Sequence, residues 1–512
     1  MKKRNSFISA LLAAALISAQ VATAFADAAP DGKTVAQGDS FEEWKSSVWE
    51  TSKNDWTIVS MTPGSDETQM NFAWYSKAGE ETSLKYGKQK DLSDGTEVEV
   101  TRTETNQIDE DGVAYVSNKA TVTGLEADTT YYYQVSGKDI ESFTTGNTSS
   151  FTFAFVGDPQ IGSSNEMKAK KPENLTEEFY QVQSDSVASD SYNWANTLEK
   201  ALENNSAVNF IVSAGDQIQT NAEKVEDTTI SEIEYVGYLI PQALTSLPVA
   251  TTVGNHDADN ANYNYHFNVP NLSTLGANDY VGGDYYFTYG SVLFIMLNTQ
   301  DTNSAEHKKF IEETVAENSE CTWKIVTLHQ DIYGSAEHSN EPEIVNLRYA
   351  LTPVFEECGI DVVLTGHDHA YSRSKFLSGD TETKEITYTD DEFDEMLDRD
   401  IDVGDSEEQL FTAPGNIMDT TTDSDELAYL SYLQNIMDES RIKEDTNYVI
   451  NPKGILYLTA SSSSGSKYYD LTARQQSYIA SRWQEDVPTY SLICMRSPGN
   501  RSPLAHRRRY GV

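Results

Sequence analysis

The chain has 512 residues, of which 38% are hydrophobic, so it is long enough for a large core and a second domain. Its formal net charge is −44. Such an excess of negative charge repels nucleic acid and anionic membrane surfaces, so both are excluded as partners. We attribute the charge itself to solubility.

Residues 1–26 have the features of a secretory signal peptide. A basic start at positions 2–4 precedes an Ala/Leu/Ile-rich stretch that reaches about Ala19, and Ala24-Phe25-Ala26 forms a small-residue cleavage site. The apolar stretch is too short for a membrane anchor, and no later segment is apolar enough to cross a bilayer. We therefore predict an exported protein, secreted or held in the cell envelope.

Residues 27–53 form a polar lead segment with one short helix predicted around 41–49. From 54 to 148, short β-rich runs separated by turn residues predict a small β-sandwich, whose Tyr-rich end resembles a fibronectin type III-like module. No site residues are predicted there. The predicted strands are Trp56–Met61, Met70–Tyr75, Ser83–Tyr86, Lys119–Val122 and Thr130–Val135.

Between residues 151 and 493, apolar runs alternate with helical patterns, which predicts an α/β layered domain. Helices are predicted at Tyr192–Glu203, with Asp190 or Ser191 as N-cap, and at Leu347–Glu357. In such folds, ligands collect at the C-terminal ends of the strands. The predicted strands are Phe151–Val156, Phe210–Val212, Val249–Val253, Val292–Leu297, Lys324–Leu328, Val362–Leu364 and Ile455–Leu458.

Residues 376–451 form an acidic insertion, with about twenty Asp and Glu against four basic residues. We interpret it as a solvated surface excursion rather than a substrate-gating lid, with one helix at Glu426–Met437. Cys321 and Cys358 each precede a predicted strand. A disulfide between them is one alternative, and two buried free thiols are the default.

The C-terminal residues change character. Pro488–Ile493 is predicted as a strand of the second sheet, whereas residues 494–512 contain five arginines and no acidic residue. One interpretation is a basic tail that binds an acidic surface. The preferred one is a frameshifted or truncated end that leaves an unpaired edge strand and a disordered tail.

Five short blocks place metal-ligand residues directly after apolar runs. Asp can bridge two cations, Asn adds a neutral oxygen, and His adds nitrogen ligands for borderline metals. One such block is usually only a turn, but five in series predict a two-metal hydrolytic site. The blocks are Gly157-Asp158-Pro159-Gln160, Gly215-Asp216, Gly254-Asn255-His256-Asp257, His329 and Gly366-His367-Asp368-His369.

This order of blocks resembles the calcineurin-like metallophosphoesterase superfamily. The preceding β-sandwich and the segment GHDHAYSR (366–373) resemble the purple acid phosphatase branch. The resemblance covers residues 54–375 well and 453–493 loosely. It implies a four-layer α/β/β/α sandwich preceded by a small all-β sandwich domain.

The resemblance also implies roles for the block residues. Asp216 would bridge two ions; Asp158 and His369 would complete one ion, and Asn255, His329 and His367 the other. The ions, divalent Zn, Mn or Fe, would offset the negative charge that repels a phosphate ester. They would also lower the pKa of a bound water, and the resulting hydroxide would attack phosphorus.

Three further residues are implied to act in catalysis. His256 is the candidate general acid or phosphate contact, Asp257 the carboxylate that orients it, and His338 a histidine that faces the substrate.

Two positions depart from the family pattern. Gln219 stands where purple enzymes carry a tyrosine, and Gln160 stands where the wider superfamily often carries a histidine. Either amide could give one ion an additional neutral oxygen, although a carboxamide is a weaker ligand and does not select ferric iron. The protein is therefore predicted not to be purple.

The predicted function is a secreted binuclear metal-dependent phosphatase that acts on small phosphomonoesters. Two alternatives remain open. The first is a phosphodiesterase or nucleotidase that uses the same ions. The second is a non-catalytic secreted binding protein with a degenerate metal site.

Overall fold

The structure is a computed structural model. It describes residues 28–29, 33–164, 177–219, 228–258, 261–278, 280–378, 386–389, 391–393, 395–396, 399, 421–438, 454–472 and 475–496. The predicted signal peptide and most of the acidic insertion lie outside these ranges. Among the described helices, none combines the length and the apolar character needed to cross a bilayer.

The lead segment packs on the α/β domain. A two-stranded ladder, β1 (Ala28–Ala29) with β2 (Lys33–Thr34), precedes a helical stretch. Trp49 is fully buried, and its Nε1 donates to Ser184 Oγ at 3.2 Å. The helical stretch consists of Asp39–Trp44, the π-helical turn Lys45–Trp49 and Glu50–Ser52.

Two four-stranded antiparallel sheets form the N-terminal all-β sandwich, as predicted. Their shared core includes Phe72 and Trp74 from one sheet and Tyr133 and Phe143 from the other. One sheet has the order β3 (Ser60–Pro63), β4 (Met70–Lys77), β8 (Ala114–Val122), β7 (Thr101–Ile108). The other has the order β10 (Glu141–Thr144), β9 (Thr130–Val135), β5 (Leu84–Gly87), β6 (Thr96–Val98).

Two larger sheets form the second domain. The first has the order β13 (Val249–Thr251), β12 (Val208–Ser213), β11 (Ser150–Val156), β21 (Ser491–Arg496). In it, β11, β12 and β13 are parallel and β21 is antiparallel at the edge. The second sheet has the order β14 (Tyr285–Tyr289), β15 (Val292–Met296), β16 (Trp323–Thr327), β17 (Val362–Thr365), β19 (Ile455–Thr459), β18 (Tyr371–Leu377), β20 (Ile479–Trp483).

The cores of this domain define four layers. Aromatic side chains of both sheets, including Phe153, Phe210 and Phe294, pack together between the sheets. Helices Glu177–Asn204 and Glu232–Leu239 cover the outer face of the first sheet, and Ser304–Glu317 and Pro342–Cys358 cover that of the second. The α/β/β/α prediction is confirmed. Further helices in the described part of the chain include Thr228–Ser231, Gln242–Thr245, Asn262–His266 and Ser424–Asp438.

The start of the first long helix was predicted wrongly. The helix begins at Glu177, so Asp190 and Ser191 lie inside it and neither is an N-cap. The Asp190 carboxylate instead accepts hydrogen bonds from the backbone amides of Gly162 at 2.8 Å and Ser164 at 3.2 Å. A polar residue in the helix therefore fixes a loop beside the first ligand block.

The C-terminal strand also differs from its prediction. It runs over Ser491–Arg496 and joins the first sheet rather than the second, where Cys494 pairs with Thr152 and Arg496 pairs with Ser150. The prediction of a disordered tail from residue 494 is therefore wrong for residues 494–496. Residues 497–512 lie outside the described ranges. All three cysteines are free, so Cys321 and Cys358 form no disulfide.

Candidate metal centre

The five ligand blocks lie at the C-terminal ends of parallel strands in the two facing sheets. Because the carboxyl ends of such strands share one edge of a sheet, residues from distant parts of the chain meet there. Asp158, Asp216 and His329 place their ligand atoms within 4.8 Å of one another. The blocks follow β11 (Asp158), β12 (Asp216), β13 (Asn255), β16 (His329) and β17 (His367).

His329 stands at the centre of one half of this cluster. Its Nε2 lies 3.4 Å from Asp216 Oδ2, 3.0 Å from Asn255 Oδ1 and 3.2 Å from His367 Nδ1. Its other nitrogen, Nδ1, contacts the backbone oxygen of Ala214 at 2.8 Å. A carbonyl on one ring nitrogen fixes the orientation of the ring and leaves the other for a ligand role.

Asp158 and His369 form the other half. His369 Nε2 lies 3.6 Å from Asp158 Oδ1. His369 Nδ1 contacts the backbone oxygen of Lys467 at 2.8 Å, so this ring is held in the same way as that of His329. All six predicted ligands are therefore brought into one site.

The backbone of this site adopts an uncommon conformation. Five residues of the blocks have positive φ. Residues other than glycine rarely adopt this left-handed backbone conformation, because it costs them free energy. Such strain concentrates at functional sites. The residues are Asp158 (φ 47°), Gln160 (38°), Asp216 (49°), His367 (69°) and His369 (46°).

Glycine is required where two of these turns touch. A Cβ on Gly254 would lie 2.0 Å from Asp216 Oδ1, and a Cβ on Gly366 would lie 2.6 Å from Asp158 Oδ2. Any side chain at either position would displace a carboxylate of the cluster. Steric crowding therefore explains why glycine precedes Asn255 and His367 in these two blocks.

The two unusual glutamines carry unpaired oxygens. Gln160 Oε1 and Gln219 Oε1 are both buried, and neither has a hydrogen-bond partner in the described part of the chain. A buried acceptor without a partner is costly, and a cation would satisfy it. The donor set and these two oxygens thus fit metal ions better than they fit a closed hydrogen-bond network.

Burial and mutual charge strongly perturb the ionisable groups. Burial and the nearby Asp216 raise the pKa of Asp158 to about 8, although the His329 charge opposes them. Burial alone would lower the pKa of His329, but the charges of Asp216 and Asp158 raise it to about 10. Burial lowers the pKa of His369 to about 3. The two buried carboxyl groups thus favour positive charge at His329, at a place suited to a cation.

His256 touches the cluster through its backbone. Its amide donates to Asp216 Oδ1 at 2.9 Å, and its ring Nδ1 lies 2.6 Å from the carbonyl oxygen of Gln219. The prediction that Asp257 orients this ring is wrong. Its carboxylate accepts from the amides of Gly254 at 3.0 Å and Gln217 at 3.1 Å and so stabilises its own turn.

His338 lies beside the cluster. Its ring centroid is 4.7 Å from that of His367, and its Nδ1 lies 2.5 Å from Glu341 Oε1. The loop that carries it is fixed by Asp368, whose carboxylate accepts from the His338 amide at 3.0 Å and from Ser339 Oγ at 2.9 Å. Asp368, the third residue of the Gly-His-Asp-His block, therefore has a structural role.

Sequence reasoning missed a sixth contributor, the loop 460–469 after β19. Tyr469 has its ring centroid 5.0 Å from that of His369 and 4.5 Å from that of His338, and Lys467 lies beside it. The loop carries none of the usual metal-ligand residues. Its position after a parallel strand of the second sheet was the signal that could have identified it.

Two families match the sequence. The calcineurin-like phosphoesterase family matches residues 151–371, and the purple acid phosphatase N-terminal domain matches residues 57–156. Residues 151–371 therefore form a calcineurin-like phosphoesterase domain, and residues 57–156 form a purple acid phosphatase N-terminal domain in front of it. The predicted resemblance is confirmed.

Individual relatives are distant. Two uncharacterized proteins, from two strains of Mycobacterium tuberculosis, are each 28% identical over 156 residues, which is 26% of this chain and 29% of theirs. The chain thus matches less than a third of their length. A purple acid phosphatase from yellow lupin (Lupinus luteus) seeds is 13% identical, with a TM-score of 0.52 over 86% of this chain and 70% of that one. This similarity shows a shared fold.

Proposed function

We propose that this protein is a secreted, binuclear metal-dependent phosphatase that hydrolyses phosphomonoesters. The observation that carries the proposal is the convergence of Asp158, Asp216 and His329 within 4.8 Å at the edge where both sheets end. The match of residues 151–371 to the calcineurin-like phosphoesterases supports the same chemistry. Export rests on the signal-peptide features of residues 1–26.

The two halves of the cluster suggest how ions would be held. Asp158 and His369 would bind one ion, the second half of the cluster would bind the other, and Asp216 would bridge them. Gln160 or Gln219 would add a neutral oxygen. When bound, such ions polarise phosphorus–oxygen bonds and activate water for attack. The mixed oxygen and nitrogen ligands suit divalent Zn, Mn or Fe.

The remaining groups of the site act on the substrate. His256 has Nδ1 directed at the Gln219 carbonyl, so Nε2 is the nitrogen available to give a proton to the leaving oxygen. His338, held by Glu341, lies against His367 and would face the substrate from the other side.

Metal analysis combined with a phosphoester panel tests the proposal. The purified protein should contain two ions per chain and hydrolyse para-nitrophenyl phosphate, and a chelator should abolish the activity. Hydrolysis confined to diesters would favour the phosphodiesterase or nucleotidase alternative. A protein without ions and without turnover, even after metal addition, would favour a binding protein with a degenerate site.

A further inference from the structure

The loop 460–469 is built into the metal site. Its serines at 461–464 and 466 are buried. Ser462 Oγ donates to the backbone oxygen of Asp158 at 2.9 Å, and Ser461 Oγ donates to that of His369 at 2.8 Å. Since both contacts are to block residues, the position of the loop is tied to that of the metal ligands.

Lys467 extends from this loop beside the metal cluster. Its carbonyl oxygen contacts the ring Nδ1 of His369 at 2.8 Å, and its ammonium lies 4.5 Å from the centroid of the Tyr469 ring. The Tyr469 ring in turn lies 5.0 Å from the ring of His369 and 4.5 Å from that of His338. The ammonium is therefore held next to an aromatic ring that packs on two histidines of the site.

Tyr469 fixes the direction of that ammonium. Its ring stands nearly perpendicular to those of His338 and His369, with interplanar angles of 89° and 72°. A lysine ammonium over an aromatic face is attracted by the negative face of the ring, and more strongly when it is desolvated. The Tyr469 ring thus restricts the flexible Lys467 side chain to a position beside the histidines of the site.

The charge of the substrate gives this lysine a selective role. A phosphomonoester carries about two negative charges at neutral pH because its second pKa is about 6, whereas a diester carries one. A fixed cation attracts the dianion more strongly in proportion to its charge. In a chain of net charge −44, a local cation matters more because the surrounding field is repulsive.

We propose that Lys467, positioned by Tyr469, binds a non-bridging oxygen of the substrate phosphate and confers preference for dianionic monoesters over monoanionic diesters. This inference rests on the proposed phosphatase function of the same site. It adds a substrate-binding residue and a physical basis for the preference for monoesters.

Lys467→Met tests the proposal, because methionine keeps an unbranched apolar stem and removes the charge. Loss of a charged contact should lower kcat/KM for para-nitrophenyl phosphate by about tenfold to a hundredfold. The loss for bis-para-nitrophenyl phosphate should be several-fold smaller, and the metal content should not change. Lys467→Arg should restore much of the monoester preference.

Lys324→Met is the matched control. Lys324 is also half-buried, but it lies near the start of β16, at the end of that strand opposite His329. It removes the same charge from the chain without touching the site, so the ratio of monoester to diester rates should stay as in the wild type. An equal change in both control and test variant would overturn the proposal, because it would show a general field effect.

Binding of inorganic phosphate separates this inference from the proposed function. Calorimetry on the metal-loaded protein should show weaker phosphate binding for Lys467→Met, again by about tenfold or more. If the wild type binds phosphate but hydrolyses no ester, the proposed phosphatase function fails. The comparison of phosphate affinities between wild type and Lys467→Met then still tests the role of the lysine. Unchanged phosphate affinity and unchanged substrate preference in Lys467→Met would refute the role of the lysine.

Discussion

The ring Nδ1 of His256 lies 2.6 Å from the backbone carbonyl oxygen of Gln219. Because a carbonyl only accepts hydrogen bonds, Nδ1 carries the proton in the neutral ring. This assigns Nε2 as the nitrogen that exchanges protons with a substrate. A backbone group thus performs the orienting role expected of Asp257, and a substitution at position 219 would leave that contact in place.

Replacement of His256 by Ala should therefore lower turnover without loss of metal. General acids typically contribute on the order of 100- to 10,000-fold, and the loss should shrink for leaving groups that need no proton. The measurement compares kcat for alkyl and nitrophenyl phosphates, with metal content determined on the same samples. Equal losses for all leaving groups would instead indicate simple phosphate binding.

Asp257→Asn is the neighbouring control. Its carboxylate accepts from the Gly254 and Gln217 amides, so this change should lower the thermal stability of the protein. It should not make the rate loss depend on the leaving group. A leaving-group dependence like that of His256→Ala would show that Asp257 does act through the histidine.

Asp216→Asn should lower the affinity for both ions and abolish hydrolysis. Asp216 is the carboxylate whose ligand atom lies within 4.8 Å of those of both Asp158 and His329, one from each half of the cluster. Asp284→Asn is a suitable control, since Asp284 is equally buried and pairs with His307 at 2.9 Å away from the ligand blocks. That variant should lose stability but keep two ions. An Asp216→Asn protein with two ions and normal turnover would contradict the binuclear assignment.

Metal binding should release protons. His329 has a pKa raised to about 10, so near pH 7 it is protonated in the absence of a competing cation. A metal ion that takes its Nε2 must displace that proton, so the apparent metal affinity should rise with pH up to about that value. Calorimetry of metal addition to chelator-treated protein, in buffers of different ionisation enthalpy, counts the released protons. A proton count of zero at pH 7 would contradict the assignment of His329 as a ligand.

The ligand blocks could be predicted from the sequence because strand, glycine and ligand follow one another within a few residues. The layered fold could be predicted from buried strands that alternate with helices. Contacts between segments that are distant in the sequence could not be predicted. No local pattern indicates that Asp190 turns from a helix to Gly162, or that Asp368 fixes the His338 loop. The strand β7 was missed because its residues are mostly exposed and polar.

Lys467 was missed for a different reason. The search for ligand chemistry selects Asp, Asn and His, and a lysine after five small polar residues matches none of these patterns. Its role depends on the fold, which brings the end of β19 beside the ends of β11 and β17. Residue type located the metal ligands and the two candidate histidines, whereas only the three-dimensional arrangement located Tyr469 and Lys467 beside them.

Asp368→Asn should destabilise the loop that carries His338. The carboxylate accepts four hydrogen bonds, from the amides of Ser335, Ala336 and His338 and from Ser339 Oγ. An amide places an N–H group against some of these donors, which should cost about 1–3 kcal/mol of unfolding free energy. Denaturant titration measures this cost. Asp470→Asn, an exposed change, should stay within about 0.5 kcal/mol of the wild type.

The final prediction concerns β21, which forms the edge of the first sheet. Its six residues pair with β11 from Phe155↔Ser491 to Ser150↔Arg496. Alternate side chains face different layers, since Leu492 packs toward the helices while Ile493 and Met495 pack between the sheets. The strand therefore covers both faces of the edge that β11 would otherwise expose.

Removal of residues 497–512 should leave stability and phosphatase activity unchanged, because all six pairs with β11 remain. Removal of residues 491–512 should lower the melting temperature and cause aggregation, since an exposed strand edge and its apolar neighbours are a template for association. Thermal unfolding and size-exclusion chromatography of the two truncated proteins distinguish the outcomes. Equal behaviour of both would show that β21 is dispensable. Unfolding of the shorter deletion would place a necessary contact beyond Arg496.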